Sequence, residues 1–256
     1  MLQKENQKTE RTILAITDFT KSSTNAILFA AHLFKNSNLK FEILHAFGNP
    51  IERESLLIYI EDILAKKSET GLKNQSYEIA AALPGRTSSG KNAKFNIATH
   101  SVNDISKKAI SNTLQLAQVD LIVVGIPSYK KPGKKLNNLP LLLMGQSKYP
   151  VLLVPEESSA KQIKNALILN FGSFINDTLG SRFETIVNHD HLSKHIIQLG
   201  DTGQHTPVSG TINNVLIQEK TDLIILNAAA GDKLDRALLD YNIQELPPII
   251  ISMLNN

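Results

Sequence analysis

The sequence has no cysteine and no tryptophan, and aromatic residues make up only 5% of its 256 positions. The first absence removes disulfides, thiolate catalysis and cysteine metal sites, and leaves the redox compartment open. Strong charge of either sign is also lacking. A net charge of +3 and a pI near 8.9 are too mild for a nucleic-acid binder, which would gather its Lys and Arg on one face or carry a known module. No stretch reaches the roughly 20 apolar residues that cross a bilayer. The polar start, "MLQKENQKTERT", has no apolar run behind its charges, so residues 1–10 read as a mobile lead-in and the protein as cytoplasmic, with no membrane partner.

What is present is the composition of a soluble globular protein, 42% hydrophobic and 20% charged, arranged as alternating strands and helices. The run Ile13 to Ile16 predicts a strand, and "TDFTKSST" then supplies N-caps for a helix through about Phe34 with Ala26, Ala30 and Leu33 on one face. "KFEILHAF" predicts a second strand. "ESLLIYIEDILAKKSE" places Leu57, Ile60, Ile63 and Leu64 at helical spacing. After the turn-rich "GRTSSGKN" come a strand, "AKFNIATH", and a helix, "VNDISKKAISNTLQLA", with Ile105, Ala109, Ile110 and Leu114 on its face. "DLIVVGI" is a near-continuous apolar strand of the kind buried on both faces. A lysine-rich loop, a short apolar helix from Leu139 to Met144 and the strand "YPVLLVPE" complete the first half.

Beyond the polar "ESSAKQIK" the pattern restarts. "NALILNF", "KHIIQLGD", "TDLIILNAA" and "PPIIISML" read as strands, and "INDTLGSRFETIV", "GTINNVLIQEK" and "KLDRALLDY" as the helices between them. "VDLIVVG" and "YPVLLVP" in the first half correspond to "TDLIILN" and "PPIIISM" in the second, so an internal duplication with a shortened second copy is the simplest reading. Alternating strands and helices predict an α/β fold, an open and mostly parallel sheet with helices on both faces. Ligands in such sheets bind beyond the carboxyl ends of strands where strand order reverses. That rule directs attention to the residues at and after Ile16, Ala46 and Val124.

The stretches "ILAITDFTKSSTNAILFAAHLFKNSNLKFEILHAF", "QLAQVDLIVVGIP" and "YPVLLVPE", in this order and spacing over residues 11–156, resemble the universal stress protein family in its tandem two-domain form. Over 160–256 the likeness leans on "TDLIIL". The resemblance implies two Rossmann-like domains of the adenine nucleotide alpha hydrolase type, residues 1–156 and 157–256. The first would hold a five-stranded parallel sheet of order 3-2-1-4-5 and the second a shortened, degenerate sheet, the two related by a pseudo-twofold through their fifth strands.

ATP-binding members carry an aspartate after the first strand in a pattern like (P/A)-x-D-x-S, and a G-x-x-G loop followed later by Gly and Ser or Thr. "AITDFT" places Asp18 at the aspartate and Thr20 at the hydroxyl position. Asp18 reads equally as a ribose or adenine acceptor or as a turn and capping residue. Gly125 matches the first glycine, but Ser128 stands at the second and Asn138 near the third, with Leu139 where a hydroxyl belongs and Gly133 out of register. Lys130, Lys131, Lys134 and Lys135 surround the phosphate position as mobile charges or as a solvated basic loop. The second half has Asn170 in place of the aspartate and keeps Gly231 without a G-x-x-G, so no nucleotide is expected there.

The candidate nucleotide site is therefore Thr17, Asp18, Thr20, Ala46, Val124, Gly125, Ser128, Lys131 and Asn138. It describes a non-catalytic stress-response protein with a degenerate ATP site, weak or empty. No cofactor is required, ATP or another adenine nucleotide is the candidate ligand, and a homodimer or intramolecular pseudo-dimer is expected. Two alternatives stand beside it: an ATP-binding or ATP-hydrolysing enzyme using Asp18 with the Lys130 to Lys135 loop, and a scaffold for an unknown protein partner. "LPLLLM" and "PPIIISML" fit an interface or, more commonly, a core.

Other clusters read as structural. His189, His191 and His195, with Asp190, lack a recognised metal-ligand pattern. Ser209 has no nucleophile elbow around it. Asp232 and Asp235 suit a helix start. His45 and His100, near the ends of the second and third strands, read as ligand-lining or hydrogen-bonded structural residues.

Overall fold

The computed structural model describes residues 10–34, 37–47, 57–83, 95–102, 119–127, 149–159, 163–171, 193–199, 221–229 and 247–254. They contain the strands β1 (Glu10–Ile16), β2 (Asn38–Ala46), β3 (Phe95–Val102), β4 (Leu121–Ile126), β5 (Val151–Pro155), β6 (Asn165–Phe171), β7 (Ser193–Leu199), β8 (Leu223–Ala229) and β9 (Ile249–Leu254). The helices α1 (Lys21–Leu33) and α2 (Leu57–Ala82) follow β1 and β2. Every predicted strand forms. The helices predicted after β3, between β4 and β5, and through the second half lie outside the described residues, as do the lysine loop, Ser128 and Asn138.

All strands join one sheet of order β3-β2-β1-β4-β5-β9-β8-β6-β7. The first five therefore have the order 3-2-1-4-5, and the last four repeat it without a counterpart of β3. Every pairing is parallel except β5 with β9, where Leu152 lies opposite Ile250 in an antiparallel junction. Strand order reverses between β1 and its two neighbours, β2 and β4.

Side chains alternate across a strand, so one register sets both faces. Ile13 and Ala15 of β1, Phe41 and Ile43 of β2, and Leu121 and Val123 of β4 pack with Ala26, Ile27 and Ala30 of α1 and Leu72 and Ile79 of α2. The alternate residues Leu14, Ile16, Leu44, Ile122 and Val124 are equally buried and lie outside that cluster. Burial on both faces is why "DLIVVGI" needs no polar alternation.

Helix α1 begins where the hydroxyl-rich turn predicts it. Thr20 is its N-cap and accepts from the Ser23 amide, and Phe34 closes the other end with its amide donating to the Ala30 carbonyl. Helix α2 departs from the reading in two ways. It runs to Ala82, well past Glu69, and Ile63, assigned to the buried face, is exposed at 37%. Its inward stripe is Ser68, Leu72, Gln75, Ile79 and Leu83. Two polar members of that stripe hide it from a purely apolar pattern. No described helix is long and apolar enough to cross a membrane.

The two halves share local bonds as well as order. Asp120 Oδ2 accepts from the Thr12 amide at 2.8 Å, while the Asp120 amide donates to the Thr12 carbonyl. Asp222 Oδ2 accepts from the Lys164 and Asn165 amides, and its own amide donates to the Asn165 carbonyl. Likewise the Ile122 amide donates to the Pro150 carbonyl and the Ile224 amide to the Pro248 carbonyl, each at 2.9 Å.

Candidate functional site

The segment between β1 and α1 is a chain of small turns. Thr17 is 4% exposed, and its Oγ1 accepts from the Phe19 amide at 3.0 Å and contacts Ser23 Oγ at 3.0 Å. Asp18 is exposed, and its Oδ1 accepts from the Thr20 amide at 3.1 Å and from Thr20 Oγ1 at 2.5 Å. An aspartate bonding the backbone two residues on is a standard turn device, and here it aims the capping threonine at the helix. Ser22 Oγ lies 2.8 Å from Thr20 Oγ1, and Ser23 Oγ donates to the Thr20 carbonyl. Asp18 thus performs the turn role that the sequence allowed, with its carboxylate still exposed at the carboxyl end of a central strand.

Phe19, between these turns, has φ 61°, a left-handed conformation that costs a bulky residue on the order of 1–2 kcal/mol. Its ring supplies the compensation. It lies against α2 at Gly71, where an added Cβ would come within 2.7 Å of the ring, and its centroid is 4.2 Å from that of His45. Behind it, Gln75 Nε2 donates to Thr24 Oγ1 at 2.9 Å, joining α2 to the first turn of α1, while buried Gln75 Oε1 has no hydrogen-bond partner.

Gly125 has a packing role of its own. A Cβ there would sit 2.3 Å from the Ser22 carbonyl oxygen and 2.7 Å from the Ser23 nitrogen. Only a glycine lets β4 approach the N-terminus of α1 this closely. Val124 lies opposite Ile16, the last residue of β1, and Ala46 ends β2 opposite Val102. Of the candidate site, Thr17, Asp18, Thr20, Ala46, Val124 and Gly125 fall among the described residues, at the carboxyl ends of β1, β2 and β4.

The two strand-end histidines point to opposite faces. His45 Nδ1 is 2.7 Å from Ser68 Oγ on the α2 side, and burial pushes its pKa below the ordinary value while the Asp18 charge opposes that shift. His100 Nε2 meets Glu42 Oε2 at 2.5 Å on the other face, where Lys40 Nζ reaches Glu42 Oε1 at 2.7 Å. Burial would raise the Glu42 pKa, but the hydrogen bonds from Lys40 and His100 outweigh it and hold the carboxyl below its ordinary value. His195 lies within β7, opposite Leu167, while His189, Asp190 and His191 lie outside the described residues. Among the described residues no group of three or more His, Asp or Glu is placed to hold a metal ion.

No family model matches the chain, and no curated protein matches it. Among solved structures it is similar to a universal stress protein from Archaeoglobus fulgidus DSM 4304, at 12% identity and TM-score 0.59, over 94% of this chain and 98% of that one. It is also similar to a protein of unknown function from Pseudomonas aeruginosa PAO1 (12% identity, TM-score 0.46, 95% and 92% covered). A third similar structure is a hypothetical protein given a biochemical function from its structure (25% identity, TM-score 0.42, 58% and 98% covered). Sheet order, parallel pairing and the strand-end turn define an α/β protein with an open, mostly parallel sheet. Its fold is that of the universal stress protein family, as the Archaeoglobus structure shows.

Proposed function

We propose that this chain is a stress-response protein without ATP chemistry, built as a tandem of residues 1–156 and 157–256, whose first half binds an adenine nucleotide weakly. The observation that carries the nucleotide reading is Asp18, exposed on the β1–α1 turn beside the point where strand order reverses between β1 and β4. Weak affinity follows from the same geometry. Asp18 Oδ1 already accepts two bonds from Thr20, and Gly125 is committed to packing on α1, so neither is preorganised for a ligand alone. Support for the tandem comes from the paired clamps of Asp120 and Asp222 and from the second half repeating the strand order of the first less one strand.

Isothermal titration of ATP into the wild type and Asp18→Ala tests the site, together with mass spectrometry of nucleotides released on denaturing the purified protein. We expect weak heat in the wild type and none in Asp18→Ala. Equal binding by both would remove Asp18 from the site, and no binding by either would leave the fold without a nucleotide role.

A further inference from the structure

On the α2 side of the sheet, three hydrogen-bonding side chains from three elements stand in line. Ser101, exposed on edge strand β3, donates from Oγ to Ser68 Oγ at 2.7 Å. Ser68, on α2 and 1% exposed, has that same Oγ 2.7 Å from His45 Nδ1. A hydroxyl has one proton to give and lone pairs to receive with. Ser68 accepts from Ser101 and keeps its own proton, which goes to Nδ1 when His45 is the Nε2–H tautomer, the form the relay uses. His45 and Ser101 are register partners, so the ladder of β2 and β3 holds the ends of this chain in place.

The chain has a half-buried imidazole at its inner end and space at its outer end. Burial favours the neutral imidazole, and the Asp18 charge would stabilise the imidazolium once a proton arrives. Ser101 lines an open groove of about 710 Å³ between α2 and β3, with Leu72, Ile97 and Tyr77 as its apolar lining and Lys73 as its ammonium. Exposed nucleophile, relay, base and supporting carboxylate are thus contributed by β3, α2, β2 and the β1–α1 turn.

We propose that Ser101 is an acyl-accepting nucleophile, activated through Ser68 by His45, and that the groove beside it takes a small ester with an apolar part. Ser101 Oγ forms the bond to the ester carbonyl carbon as its proton moves to Ser68 and the Ser68 proton moves to His45 Nδ1. The ester C–O bond breaks as the Ser68 hydroxyl gives its proton to the leaving alkoxide and is reprotonated from His45 Nδ1, so the alcohol departs and the acyl group stays on Ser101. Lys73 is the groove cation available to the charge that develops on the carbonyl oxygen. No nucleotide takes part, so this activity stands or falls apart from ATP binding.

The test treats the full chain with an alkyl fluorophosphonate, which bonds phosphorus to a reactive serine Oγ and releases fluoride, and locates the adduct by peptide mass spectrometry. A single adduct at Ser101 is expected, absent from Ser101→Ala and from urea-unfolded protein. Labelling should slow by about a hundredfold in Ser68→Ala and in His45→Gln, the scale of a lost general base. Ser68→Thr, which keeps the relaying hydroxyl, should retain most of the rate, and 4-nitrophenyl butyrate should leave a butyryl group on the same serine. Thermal unfolding of each variant identifies any that fails to fold, and the conclusion is drawn from those that do. No adduct at Ser101, or an adduct formed at the wild-type rate in folded His45→Gln, would overturn the proposal.

Discussion

A glycine and a threonine in this protein carry structural work that sequence motifs would assign to ligands. Gly125 sits where a phosphate-loop glycine would begin, yet its missing side chain is what admits the Ser22 carbonyl. Gly125→Ala should therefore lower stability by the upper end of the about 1–3 kcal/mol typical of overpacking, because the clash is with backbone that cannot rotate away. Urea unfolding followed by circular dichroism would read it, and a neutral result would mean α1 shifts freely on β4. Thr20 was legible as a cap because the sequence packs hydroxyls before an apolar face, and Thr20→Ala should cost about 1 kcal/mol by the same assay. The Asp18 turn was legible only as a pair of alternatives, since one carboxylate can serve a turn, a ligand or both. Phe19 was not legible at all. Nothing in "TDFT" signals that a phenylalanine will hold a left-handed backbone, because the reason, a bare glycine on another helix, lies far away in sequence.

At the scale of elements, α2 shows how a local rule gives way to packing. Gly71 lowers helix propensity by roughly 1 kcal/mol relative to alanine, and the apolar periodicity weakens beyond Glu69, so the sequence reading stops short. The helix continues because Leu72, Ile79 and Leu83 bury against the sheet, while Ser68 and Gln75 are bonded to their neighbours. Gly71→Ala should destabilise, since the new methyl meets the Phe19 ring at 2.7 Å. In a Phe19→Ala background the same change should instead stabilise by roughly 0.5–1 kcal/mol, as helix propensity alone predicts. A cycle with equal effects in both backgrounds would separate the ring from the glycine.

The neighbouring strands β2 and β3 hold Glu42 between Lys40 and His100. Glu42 has a pKa depressed below its unfolded value, so its contribution is present above about pH 4.3 and is lost as pH falls through the folded value. Glu42→Gln should flatten the fall in urea midpoint below about pH 4.5, and a curve as steep as the wild type would place the acid sensitivity elsewhere.

For the whole molecule, the strands of the first half were readable because each is an apolar run bounded by turn residues, whereas their order 3-2-1-4-5 was implied only by the family resemblance. The edge-to-edge continuity was not readable from strand patterning, because "PPIIISML" looks alike whether it ends a sheet or joins two. The junction is short, with Val151, Leu152 and Leu153 facing Ile251, Ile250 and Ile249 in the sole antiparallel pairing of the described strands. Ile250 and Leu152 are each 0% exposed, so the seam is core and not a surface contact. Ile250→Ala should cost about 2–5 kcal/mol, and where that loss appears tests the proposed division at residue 156. If the halves are cooperative units, native-state hydrogen exchange should show protection falling in β6, β8 and β9 while β1, β2 and β4 keep most of theirs. Equal loss across all nine strands would mean that the duplicated patterns have merged into one folding unit, with the β5–β9 seam as much a part of the first half as β1 is.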